Sequence, residues 1–169
     1  IDVATNQAFS IATSMIPFLE HDDANRALMG SNMQKQALPC IVPEAPLVAT
    51  GIEEVASRDS GRVILSEEDG TVTQVDGKKI TVEGKSGKSK TYTLVAYSRT
   101  NNFAAFHQRP SVNLGDKVKK GDVLADTSTS DNGQIALGQN VCVAFMCWNG
   151  NNYEDAIILS ERLVKNSKF

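Results

Sequence analysis

Phe18-Leu19-Glu20-His21-Asp22-Asp23-Ala24-Asn25-Arg26-Ala27-Leu28-Met29-Gly30-Ser31-Asn32-Met33-Gln34-Lys35-Gln36 is dense in polar groups, yet its spacing is helical. Asp22 or Asp23 can cap the helix start, because a short carboxylate accepts the unpaired N–H groups of the first turn and suits its positive end. Pro39 limits how far the helix runs, since proline disfavours helical geometry in the residue before it. At 3.6 residues per turn, Asn25, Asn32 and Gln36 fall on one face with Met29 between them. Arg26 lies beside that face, within i,i+3 reach of Asp23. A solvent face is usually Lys and Glu; this one is mostly neutral amides plus one arginine. Amides both donate and accept, so they suit phosphate oxygens, sugar hydroxyls or another backbone, and arginine's planar fork suits phosphate or carboxylate. The plain alternative is a capped surface helix with an internal Asp23–Arg26 pair and a costly glycine at Gly30.

Working outward, Thr5 offers an N-cap for a helix over about residues 6 to 15, with Phe9, Ala12 and Ile16 on its buried stripe and Pro17 ending it. Residues 39–46 are apolar and proline-punctuated, an extended connector. Val48 to Ala56 and Arg62 to Glu67 read as strands, with Ser60-Gly61 turning between them. Three β-type runs follow, Gly70 to Val75, Lys79 to Glu83 and Lys90 to Tyr97, joined by an Asp76-Gly77 hairpin turn and a looser loop from Gly84 to Gly87. Lys78, Lys79, Lys85, Lys88 and Lys90 make this hairpin basic. Lysines that blunt an edge strand against aggregation explain them better than a nucleic-acid patch, because no aromatic residues interleave with them. Arg99 to Arg109 is a polar loop whose His107 has no partner in sequence that would make it catalytic or a ligand.

In Ser111 to Asp126, two Gly-Asp turns flank a short strand whose apolar side is Val118, Val123 and Leu124. Further on, Val141 to Met146 reads as a buried strand. Trp148 to Asp155 reads as a turn leaving two carboxylates on its exit, and Ser160 as the cap of a last helix beginning Glu161-Arg162.

The chain has 169 residues, enough for one domain and a sizeable core, and 41% apolar with 22% charged residues fits a soluble globular protein. A net charge of −3 gives no compositional support for nucleic-acid binding, so any such surface is local. Cys40, Cys142 and Cys147 are odd in number and lack metal-ligand spacing, which fits free thiols in a reducing compartment and places the protein in the cytoplasm. No signal peptide or membrane-spanning apolar run is visible. Ile1 at one end and Lys168-Phe169 at the other suggest a piece of something larger.

Adjacent carboxylates on an extended chain point to opposite faces, so Glu154 and Asp155 are not expected to grip one metal together. One of them could touch a hydrated Mg²⁺, which keeps most of its waters. No nucleophile–base pair, phosphate-cradling glycine loop or complete metal site appears, so the residues alone do not describe a self-sufficient enzyme.

The words "FLEHDDANRALMGSNMQKQA", "LGDKVKKGDVLAD", "ALGQNVCVAFMCWNGNNYEDAI" and "LSERLV" resemble, in this order, successive segments of the bacterial DNA-directed RNA polymerase beta subunit around its hybrid-binding region. Lys35 stands where that family usually has arginine, Cys147 where it usually has proline and Asn151 where it often has tyrosine; residues 62–92 follow no family pattern closely. The resemblance implies an α+β, β-rich fold, with short helices at the N-terminal end followed by barrel-type strands, a partial double-psi barrel or barrel-sandwich hybrid. Residues 1–38 form the helical contact segment, 39–110 a β-rich connector with a hairpin near 70–97, and 111–169 the barrel strands and acidic loop. It implies further that Arg26 contacts the phosphates of the incoming nucleotide and Asn32 and Gln36 the RNA backbone. Asp23 then orients Arg26, and Glu154 and Asp155 lie near the nucleotide-bound Mg²⁺, with Asp155 reaching the metal through water. The implied catalytic Mg²⁺ is held by aspartates of the beta-prime subunit. Implied partners are the beta-prime, alpha, omega and sigma subunits, template DNA, nascent RNA and nucleoside triphosphates, with no membrane, in a nucleoid-associated cytoplasmic complex. This piece is expected to be a part of a nucleotidyltransferase that is inactive alone. The alternative is a non-enzymatic barrel-sandwich carrier or binding module, suggested by the double Gly-Asp pattern, although no Met-Lys-Met carrier site exists in the sequence.

Overall fold

Asp23 has extended backbone angles (φ −69°, ψ 143°), and its carboxylate accepts the Asn25 N–H at 3.0 Å, which starts helix α2 at Ala24–Gln34. The buried stripe of α2 is made of small side chains, Ala27 and Ser31, flanked by the half-buried Gly30 and Gln34. Small residues let the helix lie close on the preceding segment, and Ile16 Cδ1 sits 3.9 Å from where a Gly30 Cβ would stand. The computed structural model describes residues 3–169.

The expected helix over 6 to 15 is two pieces. Thr5–Ala8 is a single 3₁₀ turn without a side-chain cap, Phe9 is extended, and α1 is only Ile11–Ser14. Ser10, not Thr5, caps it, accepting from the Thr13 N–H at 3.2 Å. The serine draws the helix start to itself by offering that oxygen, and Phe9 is left exposed instead of joining a buried stripe.

A second correction concerns residues 48–56, expected as a strand. Gly51 adopts φ 89° and the chain turns into α3, Ile52–Asp59. The buried Glu53 carboxylate reaches back to the N–H groups of Thr50 at 3.1 Å and Gly51 at 2.8 Å, closing the helix start, while Glu54 pairs with Arg58 one turn on at 3.0 Å. The Thr50 hydroxyl donates to Ser14 O at 2.7 Å and ties α3 to the end of α1.

The strands form small open sheets, and the α+β, strand-rich class with helices leading is the one observed. Strand β1 (Ile64–Leu65) opens the strand-rich part, and β2 (Gly70–Val75), β3 (Lys79–Gly84) and β4 (Ser89–Thr93) form an antiparallel meander. At the Asp76-Gly77 turn, the Asp76 carboxylate accepts from the N–H groups of Lys78 and Lys79, both at 2.8 Å. A short hairpin, β5 (Ser98–Arg99) and β6 (Ala105–Phe106), precedes β7 (Gln108–Pro110). The two Gly-Asp turns then frame β8 (Lys117–Val118). Gly115 and Gly121 hold φ near 90°, and each aspartate accepts a backbone N–H three residues before it, Asn113 to Asp116 at 2.7 Å and Lys119 to Asp122 at 2.8 Å. Positive φ costs glycine little, which is why it stands there.

Strand β8 joins the meander in the order β4-β3-β2-β8, while β9 (Val123–Thr127) lies between β1 and β7. The core sits where these two sheets meet: Val72, Ile80, Val82, Tyr92, Leu94, Val118, Leu124 and Ala125. Strands β10 (Ser130–Asp131) and β11 (Gln134–Ile135) form a tight hairpin, and α4 (Glu161–Lys165) is capped by Ser160 as expected.

A third correction falls on Val141 to Met146. This segment forms no strand, and its side chains stand in solvent, Phe145 at 97%. A strand is stabilised by ladder partners, and the hydrogen bonds of residues 141–159 close only within that segment among the described residues.

Candidate nucleic-acid interface

At about 100° per residue, Asn25, Met29, Asn32 and Gln36 centre on the side of α2 opposite the stripe of Ala27, Gly30, Ser31 and Gln34. All four are exposed, and so is Arg26 at the edge of the same face. Gln36 lies one residue past the C-cap Lys35, in the closing turn, where its N–H still donates to Met33 O at 3.0 Å. The expected amide-and-arginine face therefore exists as one continuous outward surface. Leu28 and Met33, not anticipated as part of it, flank the amides at 61% and 62% exposure. The signal for them was in the spacing: Ala27, Gly30 and Ser31 turn one side of the helix inward, which leaves Leu28 and Met33 outside.

Asp23 is committed to the Asn25 N–H, and no ion pair joins it to Arg26 among the described residues. A guanidinium left without a carboxylate keeps its full fork for an external anion. The C-terminal end of α2 is anchored by Asn102, whose side-chain amide donates to Lys35 O at 3.3 Å.

Glu154 and Asp155 are also exposed, at the exit of a turn held by Asn152, which accepts from Trp148 N–H at 2.9 Å and donates to Met146 O at 2.7 Å. Glu154 adopts φ 56°, an uncommon conformation for a side chain of its size. No hydrogen bond or ion pair connects this turn with α2 among the described residues, so the structure presents the two expected constellations separately. No group of three or more His, Cys, Asp or Glu residues gathers into a metal-binding cluster among the described residues. The cysteines are unpaired, and no helix among those described is long and apolar enough to cross a membrane.

The family model for RNA polymerase Rpb2, domain 6, matches residues 65–169. Over all 169 residues the chain is 56% identical to the DNA-directed RNA polymerase subunit beta of Gloeobacter violaceus, 57% to that of Mesoplasma florum and 54% to that of Rhodomonas salina. It spans 15%, 13% and 15% of those relatives. Identity this high along the full chain, α2 and the acidic turn included, leaves one conclusion: the chain belongs to the family of DNA-directed RNA polymerase beta subunits.

Proposed function

We propose that this chain serves as part of the beta subunit of a DNA-directed RNA polymerase, and that α2 offers its outer face to the RNA–DNA hybrid and the incoming nucleotide during template-directed RNA synthesis. The observation that carries this reading is the outward setting of Arg26, Asn32 and Gln36 opposite a buried stripe. Arg26 neutralises nucleotide phosphates, Asn32 and Gln36 hold the RNA backbone, and Asp23 fixes the helix start from which Arg26 projects. Phosphoryl transfer depends on positioning and charge neutralisation more than on covalent help from protein, and these residues supply that.

Among the described residues no cluster of three or more metal-ligating side chains forms, so Glu154 and Asp155 are read as neighbours of the ion's water shell rather than as its resident ligands. Mg²⁺ belongs in this reading to the beta-prime subunit, with Glu154 and Asp155 nearby and Asp155 touching the ion's water shell. The other partners are the alpha, omega and sigma subunits, template DNA, nascent RNA and nucleoside triphosphates, in the nucleoid-associated cytoplasmic complex. The piece alone is inactive.

Arg26→Ala, introduced into the full-length subunit of an assembled polymerase, tests the reading. A charge-assisted contact to phosphate contributes about 1.5–3 kcal/mol, so the nucleotide concentration for half-maximal elongation rises about tenfold or more. An unchanged elongation rate at every nucleotide concentration overturns the assignment.

A further inference from the structure

From Thr91 to Gly115 the chain carries no carboxylate and two arginines, Arg99 and Arg109, against a net charge of −3 for the whole. The β5–β6 hairpin lies inside this stretch and gathers two stacked pairs. The Arg99 guanidinium lies 4.0 Å over the Phe103 ring, and Tyr97 stacks on His107 with ring centroids 4.4 Å apart and planes 15° from parallel. Arg99 and His107 each cover one face of their partner ring, yet Phe103 is still 75% exposed and Tyr97 80%. Both rings are carried on left-handed backbone, at φ 61° and φ 50°. Asn101 and Asn102 fill the hairpin tip, and Asn102 bonds to the C-terminal end of α2.

We infer that the β5–β6 hairpin is a stacking platform for unpaired nucleotides of a nucleic-acid strand running past the end of α2. An open aromatic face backed by a cation accepts any base, because every base has a π-face, and arginine nearby meets the phosphates. The amides of Asn101 and Asn102 suit base edges and sugar hydroxyls. A protein partner is the less fitting occupant. Arginine and aromatic anchors at protein interfaces sit within an apolar patch, whereas the hairpin tip around Phe103 is Thr100, Asn101, Asn102 and Ala104. The inference rests on the α2 reading in one respect, the Asn102 link that makes the two surfaces continuous.

The test uses elongation complexes of the assembled polymerase with the full-length subunit. 5-Iodouridine is placed in the RNA in one preparation, and 5-iododeoxyuridine in each DNA strand in two others. After irradiation, the crosslinked beta-subunit peptides are mapped. The expected result is a crosslink to residues 97–107 from one of these strands, and the preparation that gives it identifies RNA or DNA. Phe103→Ala shortens complex lifetime about tenfold and Phe103→Trp restores it. No crosslink to residues 97–107 from any of the three strands, or loss of lifetime that Trp does not restore, overturns the platform. A strand crosslink at α2 without one at the hairpin overturns it while leaving the α2 reading intact; the reverse pattern sustains the platform and removes the α2 contact.

Discussion

The Gly133 N–H donates to the buried carboxylate of Asp126 at 2.9 Å, and three further donors complete the same carboxylate: Asn132 N–H at 3.1 Å and the hydroxyls of Ser111 and Ser130, each at 3.0 Å. This one side chain holds the β10–β11 hairpin against β9 and fixes where the chain leaves the core toward residue 141. Removing it leaves buried N–H groups unpaired, at about 1–3 kcal/mol each. Asp126→Ala is expected to speed hydrogen exchange of the Asn132 and Gly133 amides about 100-fold in the assembled enzyme, with Asp126→Asn milder. Unchanged exchange in both variants means that other groups hold the hairpin.

Gly30 looks costly in the middle of a helix, and the structure offers little compensation. A Cβ there meets only Ile16 Cδ1, at 3.9 Å, an ordinary contact. Gly30→Ala is therefore expected to stabilise α2 by about 0.5–1 kcal/mol. Because Gly30 lies on the face opposite Asn32 and Gln36, elongation should be unchanged. Slower exchange of α2 amides with normal elongation checks both halves; lost elongation means that the two faces are coupled.

What was legible in the sequence was what local chemistry decides. Asp23, Ser160 and the two Gly-Asp turns act through hydrogen bonds spanning two or three residues, and the outward face of α2 follows from the helical period. The helix at Ile52–Asp59 was hidden because its start depends on Gly51 at positive φ and on Glu53 folding back on Thr50. Val48 to Ala56, rich in Val, Ile and Thr, reads as a strand instead. Val141 to Met146 has strand composition but no described ladder partner, and composition does not report a partner's presence. The Tyr97–His107 stack joins residues ten apart through the Ser98–Phe106 pairing, a relation that emerges only once the hairpin closes.

Acid is expected to loosen the fold before base does. Burial pushes the Glu53 carboxyl up, but the N–H groups of Thr50, Glu53 and Gly51 and the Thr50 hydroxyl more than offset it, holding it below the usual 4.5. Lys85 and the Lys120 N–H hold Asp69 below its usual 3.8, the N–H groups of Lys78 and Lys79 do the same for Asp76, and Lys168 with Asn140 lowers Glu44. Groups lowered in the native state bind fewer protons there than in the unfolded chain, so their contribution is full above the ordinary values and is lost as pH falls through the native ones. Lys90 is raised above 10.5 by its bond to Glu67, so its contribution is full below 10.5 and fades as pH rises through the native value. Stability should be flat with respect to these groups from about pH 5 to 10 and fall below that range. Glu53→Gln should flatten the acid limb of α3 amide exchange; an acid limb identical to that of the parent removes Glu53 from the account.

Asp155 offers the sharpest check on the acidic turn, because its proposed contact with the metal runs through water. Such a contact between exposed charges contributes under about 1 kcal/mol, which sets the size of the effect. Asp155→Asn in the assembled enzyme should raise the Mg²⁺ concentration for half-maximal elongation by up to about fivefold. The maximal rate at saturating metal should stay close to the parent's, since the ion's own ligands lie on another subunit in this reading. Superimposable Mg²⁺ titrations for the two proteins remove Asp155 from the metal's surroundings. A collapse of the maximal rate instead makes the carboxylate a direct ligand, and the metal site would then be shared by both subunits.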